Sequence, residues 1–161
     1  MYSRIVLAYD GTREGRAALR EGALLAKGCG AEVFLLSVVA ETVGLQIGES
    51  VMPGAVGQER NSYAAILQEG VERLKAHGFE PVASLVQGEP AKVIARFARE
   101  VSADLVVVGH RKQSAVARWW SGSTDAYLMD HIGCTLLVAR NTITDDQFET
   151  AFGRGRTEPA A

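Results

Sequence analysis

Five short apolar runs punctuate the chain, and between them apolar residues recur at helical spacing. The runs are 4–9 (RIVLAY), 32–39 (EVFLLSVV), 80–87 (EPVASLVQ), 104–109 (DLVVVG) and 134–139 (CTLLVA). They are rich in Val, Leu and Ile and short for helices, so they read as strands buried on both faces. The first breaks at Asp10-Gly11-Thr12, a turn and helix start with Thr12 or Asp10 as the capping oxygen. From 13 to 27, Ala17, Ala18, Leu24 and Leu25 fit a helix packed on a sheet, with Gly28 and Gly30 as stops. Ala64, Leu67, Val71 and Leu74 mark one face of a helix over 58–77, ended by Gly78. Pro90 opens another, with Val93, Ile94, Phe97, Ala98 and Val101 as its apolar face. A last helix is predicted over about 122–132. Residues 40–57 carry Gly44, Gly48, Pro53, Gly54 and Gly57 and read as a long loop, the kind that often carries function.

Strands and helices alternate along the chain, so the expected fold is α/β. It is a five-stranded parallel sheet of order 3-2-1-4-5 with helices on both faces. In such folds a ligand sits at the carboxyl ends of the strands, where the strand order reverses. Asp10 and Gly109 end the first and fourth strands, so both loops would line one crevice. The domain is expected over 1–140. Residues 141–161 are mostly polar, with Gly153, Gly155 and Pro159 as breakers, and are expected to form a tail without a fold of its own.

Composition narrows the function classes. The chain has 161 residues, 47% hydrophobic and 22% charged, ordinary values for one soluble globular domain. A formal net charge of -2 argues against a nucleic-acid binder driven by bulk charge. No apolar run approaches the roughly 20 residues of a membrane helix, and no membrane association is expected. The N-terminus runs straight into a strand, so no signal peptide is expected. Cys29 and Cys134 form no CxxC or metal-ligand spacing. They read as reduced, mostly buried thiols of a cytoplasmic protein.

The candidate chemistry lies in residues 105–124, LVVVGHRKQSAVARWWSGST. A buried strand stops at Gly109, and thirteen residues later Gly122-Ser123-Thr124 opens a helix. Unpaired amides and the helix dipole make such a start an anion cradle. Arg111, Lys112 and Arg118 add positive charge. Each feature has a plainer reading. Ser123 is also a good N-cap, Asp10 a good turn residue, and three loop cations a good solvated surface. Of Trp119 and Trp120, at least one is expected to pack under the loop. His77 and His131 stand near helix ends, where a cation complements the dipole. Three dispersed histidines favour no metal site, and no residue is assigned as a catalytic base.

These residues resemble the universal stress protein family over about 3–140. RIVLAYDGT is similar to the family's first strand and aspartate turn, and GEPAKVIARFAREVSADLVVVGH to its third helix and fourth strand. The most specific element is the family's Gly-x2-Gly-x9-Gly-(Ser/Thr) nucleotide motif. Gly109 matches its first glycine, and Gly122 and Ser123 match the final pair; Lys112 stands where the second glycine belongs.

The resemblance implies a nucleotide site built from Ala8, Asp10, Val38, Val108, Gly109, Lys112, Gly122, Ser123 and Thr124. Asp10 would approach the adenine–ribose end, and Val38 would pack at the adenine. Gly109 would admit the backbone to the ligand, and Gly122, Ser123 and Thr124 would hold phosphates. The implied ligand is ATP or a related adenine nucleotide, with Mg2+ able to accompany it. The implied partner is a second copy joined through the last strand, 134–139. A lysine at 112 meets a steric penalty where glycine conformation is needed, yet its ammonium can contact phosphate directly. Three functions follow: a nucleotide-responsive stress protein, a nucleotide-independent dimeric interaction protein, and, with least support, a slow ATPase.

Overall fold

A computed structural model describes residues 1–40, 55–110, 123–140 and 143–153. Its strands are β1 (Arg4–Ala8), β2 (Glu32–Val39), β3 (Val82–Gln87), β4 (Leu105–Gly109) and β5 (Thr135–Ala139). Its helices are α1 (Arg13–Cys29), α2 (Ala55–Ala76), α3 (Pro90–Glu100), α4 (Ser123–His131) and α5 (Asp145–Ala151). The strands form one parallel sheet in the order β3-β2-β1-β4-β5, as the alternation predicts.

Alternate residues of each strand face opposite layers. Ile5, Leu7 and Tyr9 of the first strand and its extension join Leu105 and Val107 of β4 under α1 and α2. Val6, Val106 and Val108 face the other way, against Ile94, Phe97 and Ala98 of α3 and Leu128 of α4. Every one of these side chains is buried. Helix α1 lies tight on β1. A Cβ on Gly22 would collide with the Leu7 side chain, so a small residue is required at that crossing.

The elements end close to where the pattern places them. Helix α1 runs through Gly28 and stops at Gly30, whose left-handed φ of 66° lets its amide reach back to the Ala26 and Lys27 carbonyls. Gly78 ends α2 in the same conformation, at φ 84°. Helix α2 begins at Ala55, inside the span read as loop; residues 41–54 lie outside the description.

The C-terminal segment carries one further helix, docked on the domain. This is α5, and its Phe148 is buried in the α1/α2 layer. Thr144 and Gln147 form a capping box, each side chain bonding the other's amide at 3.0–3.2 Å. Ile143 and Phe148 occupy the staple positions on either side of that cap. Polar composition hid this helix because docking, not periodicity, holds it.

Candidate functional site

The crevice lies where β1 and β4, neighbours in the sheet, send their chains in opposite directions. Beyond β1 the backbone continues as a ledge. The Tyr9 amide donates to the Leu36 carbonyl at 2.8 Å, and the Tyr9 carbonyl accepts from the Ser37 hydroxyl at 2.7 Å. Ser37 is fully buried, and this bond satisfies it. The turn that follows is braced from within. Asp10 Oδ1 accepts from the Thr12 amide at 3.0 Å and from the Thr12 hydroxyl at 2.5 Å. Thr12 Oγ1 accepts from the Gly15 amide at 3.0 Å. Thr12 is therefore the N-cap of α1, and Asp10 orients it.

Gly109 closes the other side. A Cβ there would stand 2.5 Å from the Glu14 carbonyl oxygen and 2.9 Å from the Gly15 nitrogen. Glycine at this position lets the first turn of α1 lie against the end of β4. This is a packing reason for the residue, beside the ligand approach that its motif implies.

Between these walls is a cleft of about 220 Å³. Ala8, Val38, Val108 and Gly109 form its floor, Asp10 and Thr12 its polar rim. Tyr63 and Ile66 of α2 line one side, Pro90 and Ile94 of α3 another. An apolar cavity of about 150 Å³ suffices for a benzene ring. The cleft thus fits a flat apolar ring system, with a carboxylate and a hydroxyl at the edge for hydroxyl groups of a ligand.

Of the nine residues predicted from the sequence, Ala8, Asp10, Val38, Val108 and Gly109 come together on this cleft. Ser123 and Thr124 are the first two residues of α4. Lys112 and Gly122 lie outside the described residues, as do Arg111, Arg118, Trp119 and Trp120. Sequence reasoning missed Tyr63, Ile66, Pro90, Ile94 and the buried Ser37. Tyr63 and Ile66 stand three apart, one turn before Gly70, a stripe beside the face that the periodicity singled out.

Charge is concentrated behind Tyr9. Glu69 Oε1 accepts from Arg73 Nε at 2.8 Å and from an Arg16 guanidinium nitrogen at 3.0 Å. Burial pushes the Glu69 carboxyl up, but the Arg73 hydrogen bond and the two guanidinium charges outweigh it and hold the group below the usual carboxylate range. Burial raises the Tyr9 hydroxyl, which Arg16 partly offsets. That hydroxyl is close to Arg16 and Glu69 but lacks a well-aligned hydrogen bond to either. His131 stacks on Tyr127 with ring centroids 3.8 Å apart and turns Nδ1 to the Tyr127 carbonyl at 2.9 Å. His77 does the same to the Arg73 carbonyl at 2.8 Å, so both histidines serve helix C-termini. Cys29 and Cys134 are free and half-buried. Among the described residues, no three His, Cys, Asp or Glu side chains gather as a metal site, and no helix is long and apolar enough to cross a membrane.

A parallel sheet wound on both faces, with an apolar cleft at its switch point, defines an α/β protein of the doubly wound class. The model of the universal stress protein family matches residues 1–140, and the chain belongs to that family. A universal stress protein of Thermus aquaticus is 29% identical over 145 residues, covering 87% of this chain and all of its own. The fold is shared with a universal stress protein crystallised in complex with cAMP, at 23% identity and a TM-score of 0.65, over 88% of this chain and 99% of that one. It is shared too with the universal stress protein from Archaeoglobus fulgidus in complex with dAMP, at 22% identity and a TM-score of 0.57, over 86% of this chain and 98% of that one.

Proposed function

We propose that the chain is a stress-response regulatory protein that binds ATP or a related adenine nucleotide in the β1/β4 crevice. The observation that carries this is the cleft itself. An apolar floor of Ala8, Val38 and Val108 suits an adenine ring, and the Asp10–Thr12 turn at its edge suits a ribose. Two relatives of the same fold bound to cAMP and dAMP support the ligand class. The phosphates would fall to the amides of Gly122, Ser123 and Thr124 at the start of α4, with Lys112 as a point charge. Mg2+ would accompany a triphosphate through its phosphate oxygens. The activity in this reading is binding; slow ATP hydrolysis is the reading with least support. The free thiols support a cytoplasmic setting. Val138, 43% exposed on the edge strand β5, supports a homodimer through residues 134–139.

A second reading rests on Lys112. If its side chain excludes phosphate, the chain acts as a nucleotide-independent dimer. Calorimetric titration with ATP, on the wild type and on Val38→Trp, tests the first reading. The bulky ring would fill the floor and weaken binding at least tenfold. ATP affinity unchanged by Val38→Trp would remove the nucleotide from this cleft. No binding by the wild type, with binding gained in Lys112→Gly, would establish the second reading.

A further inference from the structure

One stripe of α1 carries three arginines. Arg13, Arg16 and Arg20 follow one another at spacings of three and four, so they share a helix face. That face lines a cavity of about 450 Å³ between α1 and the start of α5, bounded there by Ile143, Thr144 and Asp145. The cavity shares no residue with the β1/β4 cleft, which takes Thr12, Glu14 and Gly15 from the same turn of α1.

The stripe is electrostatically unfavourable by itself. Like charges three and four apart on a helix repel. Arg13 is also the first residue of α1, where the helix dipole already presents positive charge. Two of the three arginines are offset within the protein. Arg20, its side chain 13% exposed, bonds Asp145 at 2.6 Å. Arg16 bonds Glu69 at 3.0 Å, but Glu69 is shared with Arg73 at 2.8 Å. Arg13 is exposed and makes no ion pair among the described residues. Arg13, Arg16, Arg20 and Arg73 thus stand against Glu69 and Asp145, an excess of two positive charges. Thr144 adds a donor: its Oγ1 accepts from the Gln147 amide at 3.2 Å, which leaves the O–H proton for an acceptor.

We infer that this cavity is a second ligand site, one that takes the dianionic phosphoryl group of a small phosphate monoester. The charge of the dianion equals the local excess. A guanidinium fork matches two phosphate oxygens, so Arg13 is the gripping residue, while Arg16 and Arg20 add charge and Thr144 a hydroxyl. The cavity is far larger than one phosphoryl group and leaves Ile143 for the organic body of the ligand. Asp145 opposes binding, because its carboxylate repels the dianion and already holds Arg20.

Heteronuclear NMR of the full chain tests this, with phenyl phosphate and inorganic phosphate as probes at constant ionic strength. At about pH 7.5 the monoester is a dianion, its second pKa lying at about 6. Phenyl phosphate should shift the Arg13 Nε–H and the Thr144 amide saturably; inorganic phosphate should do so more weakly, and phenol not at all. Arg13→Gln, a change at an exposed side chain, should weaken binding roughly five- to tenfold. Asp145→Asn, at a side chain 82% exposed, should tighten it roughly threefold or more, with the Phe148 amide reporting that α5 stays docked. Val38→Trp should leave the affinity unchanged, so this site and the nucleotide cleft stand or fall separately. Shifts that grow linearly and match those of added chloride would overturn the site, as would an affinity unaltered by Arg13→Gln. Saturation by an acidic peptide but by neither phosphate probe would overturn it in favour of a protein partner.

Discussion

Gly109 shows how one residue answers to two demands. Its motif points to a ligand, while its surroundings hold the backbone of α1 where a Cβ would stand. Gly109→Ala must push α1 and β4 apart, and overpacking of this kind costs about 1–3 kcal/mol. A urea denaturation midpoint equal to the wild type's would mean that α1 shifts freely. The sequence made this glycine conspicuous, but not the reason for it, because Glu14 and Gly15 reach it only through the fold. Asp10 is similar: a capping pattern and a ligand position look alike in one dimension. Only the Thr12 hydrogen bonds show what its Oδ1 does.

Among elements, α1 and α2 are joined by Glu69. Its carboxyl is held below the usual range, so its contribution exists above the unfolded value, about 4.3, and is lost as pH falls through the lower folded one. Glu69 is one-third exposed, which limits the effect to about 0.5–1 kcal/mol. Glu69→Gln should therefore be less stable than the wild type at pH 7, with the gap closing in acid. A gap that persists at pH 2 would point to packing instead of charge. The strands were legible because burial on both faces writes unbroken apolar runs. Helix α5 was not, because seven residues are too few for a periodic signal. Its capping box, Thr144-x-x-Gln147, was the available clue.

For the whole molecule, the strand order makes β5 an edge, and its exposed Val138 is where the proposed second copy would join. Val138→Lys should leave the monomer folded and shift sedimentation from dimer to monomer at micromolar concentration. A wild type that sediments as a monomer would remove the dimer from the proposal. Five of nine predicted site residues meet on one cleft because topology alone sets the ends of β1, β2 and β4 side by side. The α2 and α3 walls were beyond reach, since which helix face overlooks a crevice depends on how the helix crosses the sheet.

The pairing of β1 with β4 also fixes a schedule for synthesis. Asp104 accepts from the Ser3 amide at 2.7 Å and from the Arg4 amide at 3.2 Å, across about a hundred residues of chain. A nascent chain emerging from the ribosome can pair β1 with β2, and then β2 with β3. The opposite edge of β1 stays bare until residues 105–109 follow. The crevice therefore has no second wall until β4 has been made. Through that interval an apolar strand edge is open to other chains. A translation pause before residue 105 would prolong the exposure.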